Sequence, residues 1–121
     1  GKPVVHWEIW AQDHKKMGEF YGNLFDWKVD FNNPMDYGVV DTGAGSGGPP
    51  NINGGIMKPK PGPIPASHLT FYVQVEDLQA TLDKAVSLGG ETVVPPTPIP
   101  GVGKMALFKD PEGNTIGLFS E

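Results

Sequence analysis

The order strand, capped helix, strand, strand, strand is written twice in this chain, and that repetition restricts the fold more than any other feature. In the first copy Val5, Trp7, Ile9 and Ala11 alternate with His6 and Glu8, the period of a strand with one apolar and one polar face. Asp13 stands at a helix N-cap position. Met17, Phe20, Tyr21, Leu24 and Phe25 follow at helical spacing, which predicts an amphipathic helix packed on the apolar face of the strand. In the second copy Leu69, Phe71, Val73 and Val75 alternate with Thr70, Tyr72 and Gln74. Asp77 caps a helix carrying Leu78, Leu82, Ala85, Val86 and Leu88, and Gly89-Gly90 ends it.

Three strands follow each helix. After the first come Trp27–Phe31, then Met35–Thr42 beyond the turn at Asn32-Asn33-Pro34, then Ile52–Met57 with Gly54-Gly55 inside it. Glycine within a strand marks a bulge or a close approach by another group. After the second come Glu91–Val94, ended by Pro95-Pro96, then Lys104–Lys109, the turn Asp110-Pro111-Glu112-Gly113-Asn114, and Thr115–Ser120. The expectation is one domain over residues 1–121, with a first module at about 4–57, a stiff Pro-rich connector at 58–66 and a second module at about 67–121.

Composition narrows the function. With 121 residues the chain is long enough for one real core, and each module alone would be too small. A net charge of -5 and no run of Lys or Arg argue against nucleic acid or an anionic membrane as partner. No cysteine is present, which removes disulfides, thiolate metal ligands and cysteine nucleophiles. With no apolar run of membrane-spanning length and no signal-peptide pattern, the cytoplasm is the default location. The Gly43–Gly48 stretch has the spacing of a dinucleotide fingerprint, but Pro49-Pro50-Asn51 cannot open the helix that would receive a pyrophosphate.

The doubled βαβββ order, the Phe20-Tyr21, Leu24-Phe25 and Trp27 helix exit, and the Asp110–Asn114 turn resemble the vicinal oxygen chelate superfamily of glyoxalases, bleomycin-resistance proteins and extradiol dioxygenases. The resemblance covers nearly the whole chain. It implies an α+β fold in which two βαβββ modules form a curved mixed sheet, a cup with helices outside and a small-molecule site inside. It also implies a homodimer. The cup closes either within one chain or by exchange of modules between two.

Glyoxalase-like members hold a divalent metal with one ligand from each of four strands, leaving an open Lewis-acid face. Here the resemblance places the four positions at His6, at Gly54 or Gly55, at Thr70, and at Gly117. Only His6 offers a strong donor, so no metal cofactor is expected at the standard site. A rearranged divalent-metal site of His6, Glu8 and His68 is the alternative. Residues two apart on one strand lie about 7 Å from each other, which makes joint ligation by His6 and Glu8 awkward.

If the apolar face packs on the helices, His6, Glu8, Trp10, His68, Thr70, Tyr72 and Gln74 face the cup, joined by Gly117, Phe119 and, by parity, Phe108. His6 and Glu8 are the candidate acid/base pair; equally, they hydrogen-bond each other or their neighbours to satisfy a polar interior. Trp10, Thr70, Tyr72, Gln74, Phe108 and Gly117 are the candidate ligand-binding residues. His14, beside Lys15 and Lys16, reads as exposed surface. Three functions follow: a small-molecule-binding protein of the resistance or sequestration type, a metal-dependent lyase, isomerase or dioxygenase, and an accessory module with a degenerate cup.

Overall fold

The computed structural model describes all 121 residues. The fold is α+β: β1 (Val4–Trp10), α1 (His14–Phe25), β2 (Lys28–Asp30), β3 (Gly38–Asp41), β4 (Gly54–Met57), β5 (His68–Gln74), α2 (Leu78–Ser87), β6 (Glu91–Ile99), β7 (Gly103–Lys109) and β8 (Thr115–Ser120). The doubled βαβββ order expected from the sequence is present. Neither helix is long and apolar enough to cross a membrane.

The chain divides into two compact units, His6–Leu69 and Gly1–Val5 with Thr70–Glu121. The unit boundaries fall at the start of β1 and the start of β5. One hydrogen bond within each unit ties in a segment outside its helices and strands. Gln12 Nε2 donates to the Ala66 carbonyl (2.9 Å), tying the connector to the first unit, and the Gln74 amide donates to the Pro3 carbonyl (2.9 Å), tying the amino terminus to the second.

In the His6–Leu69 unit the strand order is β2-β3-β4-β1, with β2–β3 and β3–β4 antiparallel and β4–β1 parallel. Asp13 accepts from the Lys16 amide (3.2 Å) to start α1, and Asp26, at φ 58, ends it in the left-handed conformation. The helix does not pack as its apolar periodicity predicts. Phe20, Leu24 and Phe25 are more than half exposed, and Gly18 is the residue that α1 buries. Phe31 explains the choice: its ring lies 2.8 Å from where a Cβ on Gly18 would stand, so the glycine face admits the β2 side chains and the aromatic face turns away.

In the other unit the order is β5-β8-β7-β6, again one parallel pair followed by antiparallel ones. Asp77 caps α2 by accepting from the Ala80 amide (3.0 Å), and Gly89, at φ 102, follows its end. Leu78 and Leu82 pack with Val75, Ala106 and Leu118, and Val73 and Phe108 lean on the same cluster. Burial of each leucine contributes about 1.5–3 kcal/mol. A ten-residue helix is only roughly 15 Å long. It covers Val73 and Val75 but leaves Leu69 and Phe71, expected beneath it, 70% and 41% exposed.

The sequence also predicts that Pro95-Pro96 ends β6, whereas the strand runs on to Ile99. β6 stands at the end of the strand order, where a missing N–H costs no ladder bond, and two register shifts between Thr92 and Thr97 absorb the prolines. The glycine-rich segment after β3 forms turns and bends with Gly43, Gly45 and Gly47 at positive φ and opens no helix.

Candidate functional site

Alternation along β1 places His6, Glu8 and Trp10 on one face; Trp10 is 1% and Glu8 6% exposed. A carboxylate buried this deeply is costly unless its oxygens are hydrogen-bonded. Both are. The Tyr37 hydroxyl donates to Oε2 (2.7 Å) and the Trp10 indole N–H to Oε1 (2.9 Å).

His6 Nε2 lies 2.7 Å from the same Tyr37 hydroxyl and 3.9 Å from Glu8 Oε2. Tyr37 has one proton and gives it to Glu8, so its oxygen accepts from His6, which we assign as the Nε2–H tautomer. Burial lowers the His6 pKa and Glu8 opposes that shift, so the imidazole is neutral at pH 7. The result is a chain His6–Tyr37–Glu8–Trp10 running from a half-buried imidazole to a buried carboxylate. Next to it, the His68 ring lies 5.2 Å from the Trp10 indole.

Tyr37 is absent from the residues that alternation assigns to the site, because it precedes β3 and shares no periodicity with β1. Its position is set locally. Asn33 Nδ2 donates to the Tyr37 carbonyl (2.7 Å) and Asn33 Oδ1 accepts from the Tyr37 amide (3.0 Å). Asp36, left-handed at φ 53, is held by His14 Nε2 at its carbonyl (2.9 Å) and by Lys15 at its carboxylate (3.2 Å). His14 is thus no free surface residue: its side chain is 13% exposed and its ring edge meets Phe31. One signal for Tyr37 exists in the sequence, the Gly54-Gly55 pair. Gly55 lies beside Glu8, and a Cβ there would fall on the Tyr37 hydroxyl; one on Gly54 would fall on the Trp7 indole.

The remaining expected ligand-binding residues lie in the other unit. Thr70 is buried and its hydroxyl donates to the Thr115 carbonyl (2.8 Å). Tyr72 is 6% exposed and pairs with Gly117, whose missing side chain is replaced by the Tyr72 ring. The space expected at Gly117 is therefore filled. Gln74 is half-buried. Phe108 does not stand with these residues as parity predicts. It packs against the cluster that contains Leu78 and Leu82, because Ala106 and Phe108 share the α2-facing side of β7.

A metal centre does not fit these side chains. No three His, Cys, Asp or Glu residues are grouped so that they could hold an ion. Of the four positions that the resemblance designates, two are glycines covered by Trp7 or Tyr37 and by Tyr72, and Thr70 spends its hydroxyl on Thr115. The rearranged set of His6, Glu8 and His68 is likewise not brought together: Tyr37 and Trp10 occupy the carboxylate oxygens, and His68 lies against Trp10.

Comparison with known proteins agrees with this architecture. The family model described as the Glyoxalase/Bleomycin resistance protein/Dioxygenase superfamily matches residues 4–118. A putative glyoxylase, CFP32, of Mycobacterium tuberculosis (strain CDC 1551 / Oshkosh) is 42% identical over 60 residues, 50% of this chain and 23% of that protein. The chain thus spans about a quarter of that relative's length. A glyoxylase-like domain-containing protein of Didymella fabae is 31% identical over 114 residues, 92% of this chain and 88% of that protein. The crystal structure of a superfamily member from Vibrio splendidus 12B01 superposes with a TM-score of 0.61 at 12% identity, covering 100% of both chains. On the family match and the repeated βαβββ order, this chain belongs to the glyoxalase/bleomycin resistance protein/dioxygenase superfamily.

Proposed function

We propose that this chain is a small-molecule-binding domain of the resistance or sequestration type, working as a homodimer, whose polar β1 face binds without a chelated metal. One observation carries the reading: Glu8, the only carboxylate on that face, has both oxygens committed to Tyr37 and Trp10. Such a carboxylate is not offered to a metal, and the half-buried rings of His6 and Tyr37 are the surface that a ligand meets there. That suits a planar or cationic ligand better than a chelated one.

The His6–Tyr37–Glu8 chain supports a second reading, an enzyme of glyoxalase-like proton chemistry. Neutral His6 accepts a proton from a substrate, and Glu8 stabilises the imidazolium through Tyr37. The names of the curated relatives, both glyoxylase-like, favour this alternative.

Two measurements on untagged protein separate the readings. Elemental analysis should find less than stoichiometric divalent metal. A panel of small aromatic and cationic compounds should contain one that raises Tm; saturation at 100 times Kd adds about 2.7 kcal/mol. Tight stoichiometric metal would overturn the proposal. Turnover of a dicarbonyl adduct or thioester that is abolished by His6→Gln would establish the second reading.

A further inference from the structure

Two glycines of β4 leave space beside β1, and each space is filled by a ring. The Trp7 indole covers Gly54. Trp7 belongs to β1 itself and gives its N–H to the Ile52 carbonyl (2.9 Å), so that cover is part of the sheet. Tyr37 covers Gly55 from outside any strand, between the Asn33–Asp36 turn and the start of β3 at Gly38. Glycine in a strand admits the close approach of another group, and here that group is carried by a turn.

The contacts that place Tyr37 are local. Asn33 binds its carbonyl and its amide, and the preceding Asp36, left-handed at φ 53, meets His14 and Lys15. Exposed ion pairs contribute little, and a non-glycine residue at positive φ stores strain. None of these contacts belongs to the strand ladders, so the turn can open while β1, β3 and β4 stay paired.

The Tyr37 hydroxyl donates to Glu8 Oε2 (2.7 Å) and accepts from His6 Nε2 (2.7 Å), and its ring stacks on the imidazole at 6.3 Å and 23°. A group in that place needs both a proton and a lone pair. A carbonyl has no proton for Glu8, and an ammonium has no lone pair for His6. A phenol has both, and it matches in shape because it is the Tyr37 side chain without its backbone.

We propose that Tyr37 is a built-in occupant of the ligand site, displaced by a phenolic ligand whose hydroxyl bridges His6 Nε2 and Glu8 Oε2 and whose ring lies over Gly55. The inference rests on the reading of the polar β1 face as a metal-free binding site, and goes further by naming the ligand class and the side chain that yields to it. Trp10 stays on Glu8 Oε1 throughout, so the buried carboxylate never loses both donors. Apparent affinity is set by the fraction of molecules in which the turn has opened, and loosening the turn therefore tightens binding.

4-Methylphenol, the tyrosine side chain alone, is the probe, with toluene as the control that lacks the hydroxyl. Titrations followed at the His6 imidazole by NMR count binding at this site only. The wild type should bind 4-methylphenol and not toluene at the same concentration. Asn33→Ala removes two hydrogen bonds that keep the turn closed and should tighten 4-methylphenol about fivefold or more, although it lowers stability. Tyr37→Ala leaves the place open, should gain at least as much, and carries the comparison if Asn33→Ala does not give a native circular dichroism spectrum. 4-Methylphenol that binds no better than toluene, or no tighter to the variants than to the wild type, would refute the displacement. In that event a compound without a hydroxyl that raises Tm would leave the binding reading standing, and a panel of aromatic and cationic compounds with no hit would overturn both.

Discussion

Tyr37 donates its hydroxyl proton to Glu8 Oε2 across 2.7 Å, reaching from the turn before β3 over Gly55 to the buried face of β1. The contact joins two levels of the fold. Asn33 fixes the Tyr37 backbone from four residues upstream, His14 and Lys15 at the start of α1 hold the intervening Asp36, and β4 makes room by carrying glycine. The side chain that reaches the carboxylate is thus placed by a turn and a helix terminus.

Removing that hydroxyl leaves one oxygen of a buried carboxylate without its donor. A hydrogen bond to a charged group contributes about 1.5–3 kcal/mol. Tyr37→Phe should lower stability by that amount, read as a shift of the urea midpoint with an unchanged m-value. Asn33→Ala should do part of the same damage through Tyr37 and should add little in the Tyr37→Phe background. Full additivity of the two would show that Asn33 does not act by positioning Tyr37.

The pH dependence follows from His6. Burial holds its folded pKa below the ordinary value of 6.5, so the unfolded chain takes up the proton first as pH falls. The stability associated with neutral His6 is therefore present in full above about pH 6.5 and is lost as pH falls through the lowered folded value. Tm should fall between pH 7 and 5, and His6→Gln should flatten that slope. A Tm profile of His6→Gln parallel to the wild type over this window would assign the dependence to other groups.

How much of this is legible in the sequence depends on where the information lies. The alternation of β1 and β5 is a two-residue pattern, and the residues it marks as the polar side of each strand, Glu8 and Trp10 on β1 and Thr70 and Tyr72 on β5, are all buried. The caps at Asp13 and Asp77 are local side-chain to backbone bonds, and they too can be read from the residues alone. Tyr37 cannot, because no periodicity links a turn residue to a strand 29 positions earlier. The packing face of α1 escapes for a related reason. Periodicity counts apolar residues, and the deciding fact is that Phe31 and Val29 take the volume beside Gly18. Phe108 falls on the wrong face when parity is carried from β8 to β7 without knowing which side α2 covers.

The glycines that stand where ligands are expected make a steric prediction. Tyr72 covers Gly117, so Gly117→Ala forces the ring to shift, and overpacking of this kind costs about 1–3 kcal/mol. A Cβ on Gly62 would meet nothing within 4 Å, and Gly62→Ala should be neutral within about 0.5 kcal/mol. Thermal unfolding of the two variants side by side makes the comparison. Equal stability of both would mean that Tyr72 does not hold its place over Gly117.

Replacing Glu8 by Gln tests the direction of every proton in the chain. The Trp10 indole only donates, so the new amide must present its oxygen to Trp10 and its NH2 to Tyr37. The Tyr37 oxygen then accepts from the amide, and its own proton turns toward His6 Nε2, which becomes an acceptor. Glu8→Gln should therefore convert His6 from the Nε2–H to the Nδ1–H tautomer, visible in the 15N shifts of the imidazole. It should also lower the His6 pKa further, since the Glu8 charge that raises it is gone. The variant keeps the shape of the site, so a stability loss should stay well below that of Glu8→Ala, which takes the acceptor from the buried Trp10 indole. A His6 tautomer unchanged in Glu8→Gln would show that Tyr37 does not relay the carboxylate's influence to the imidazole.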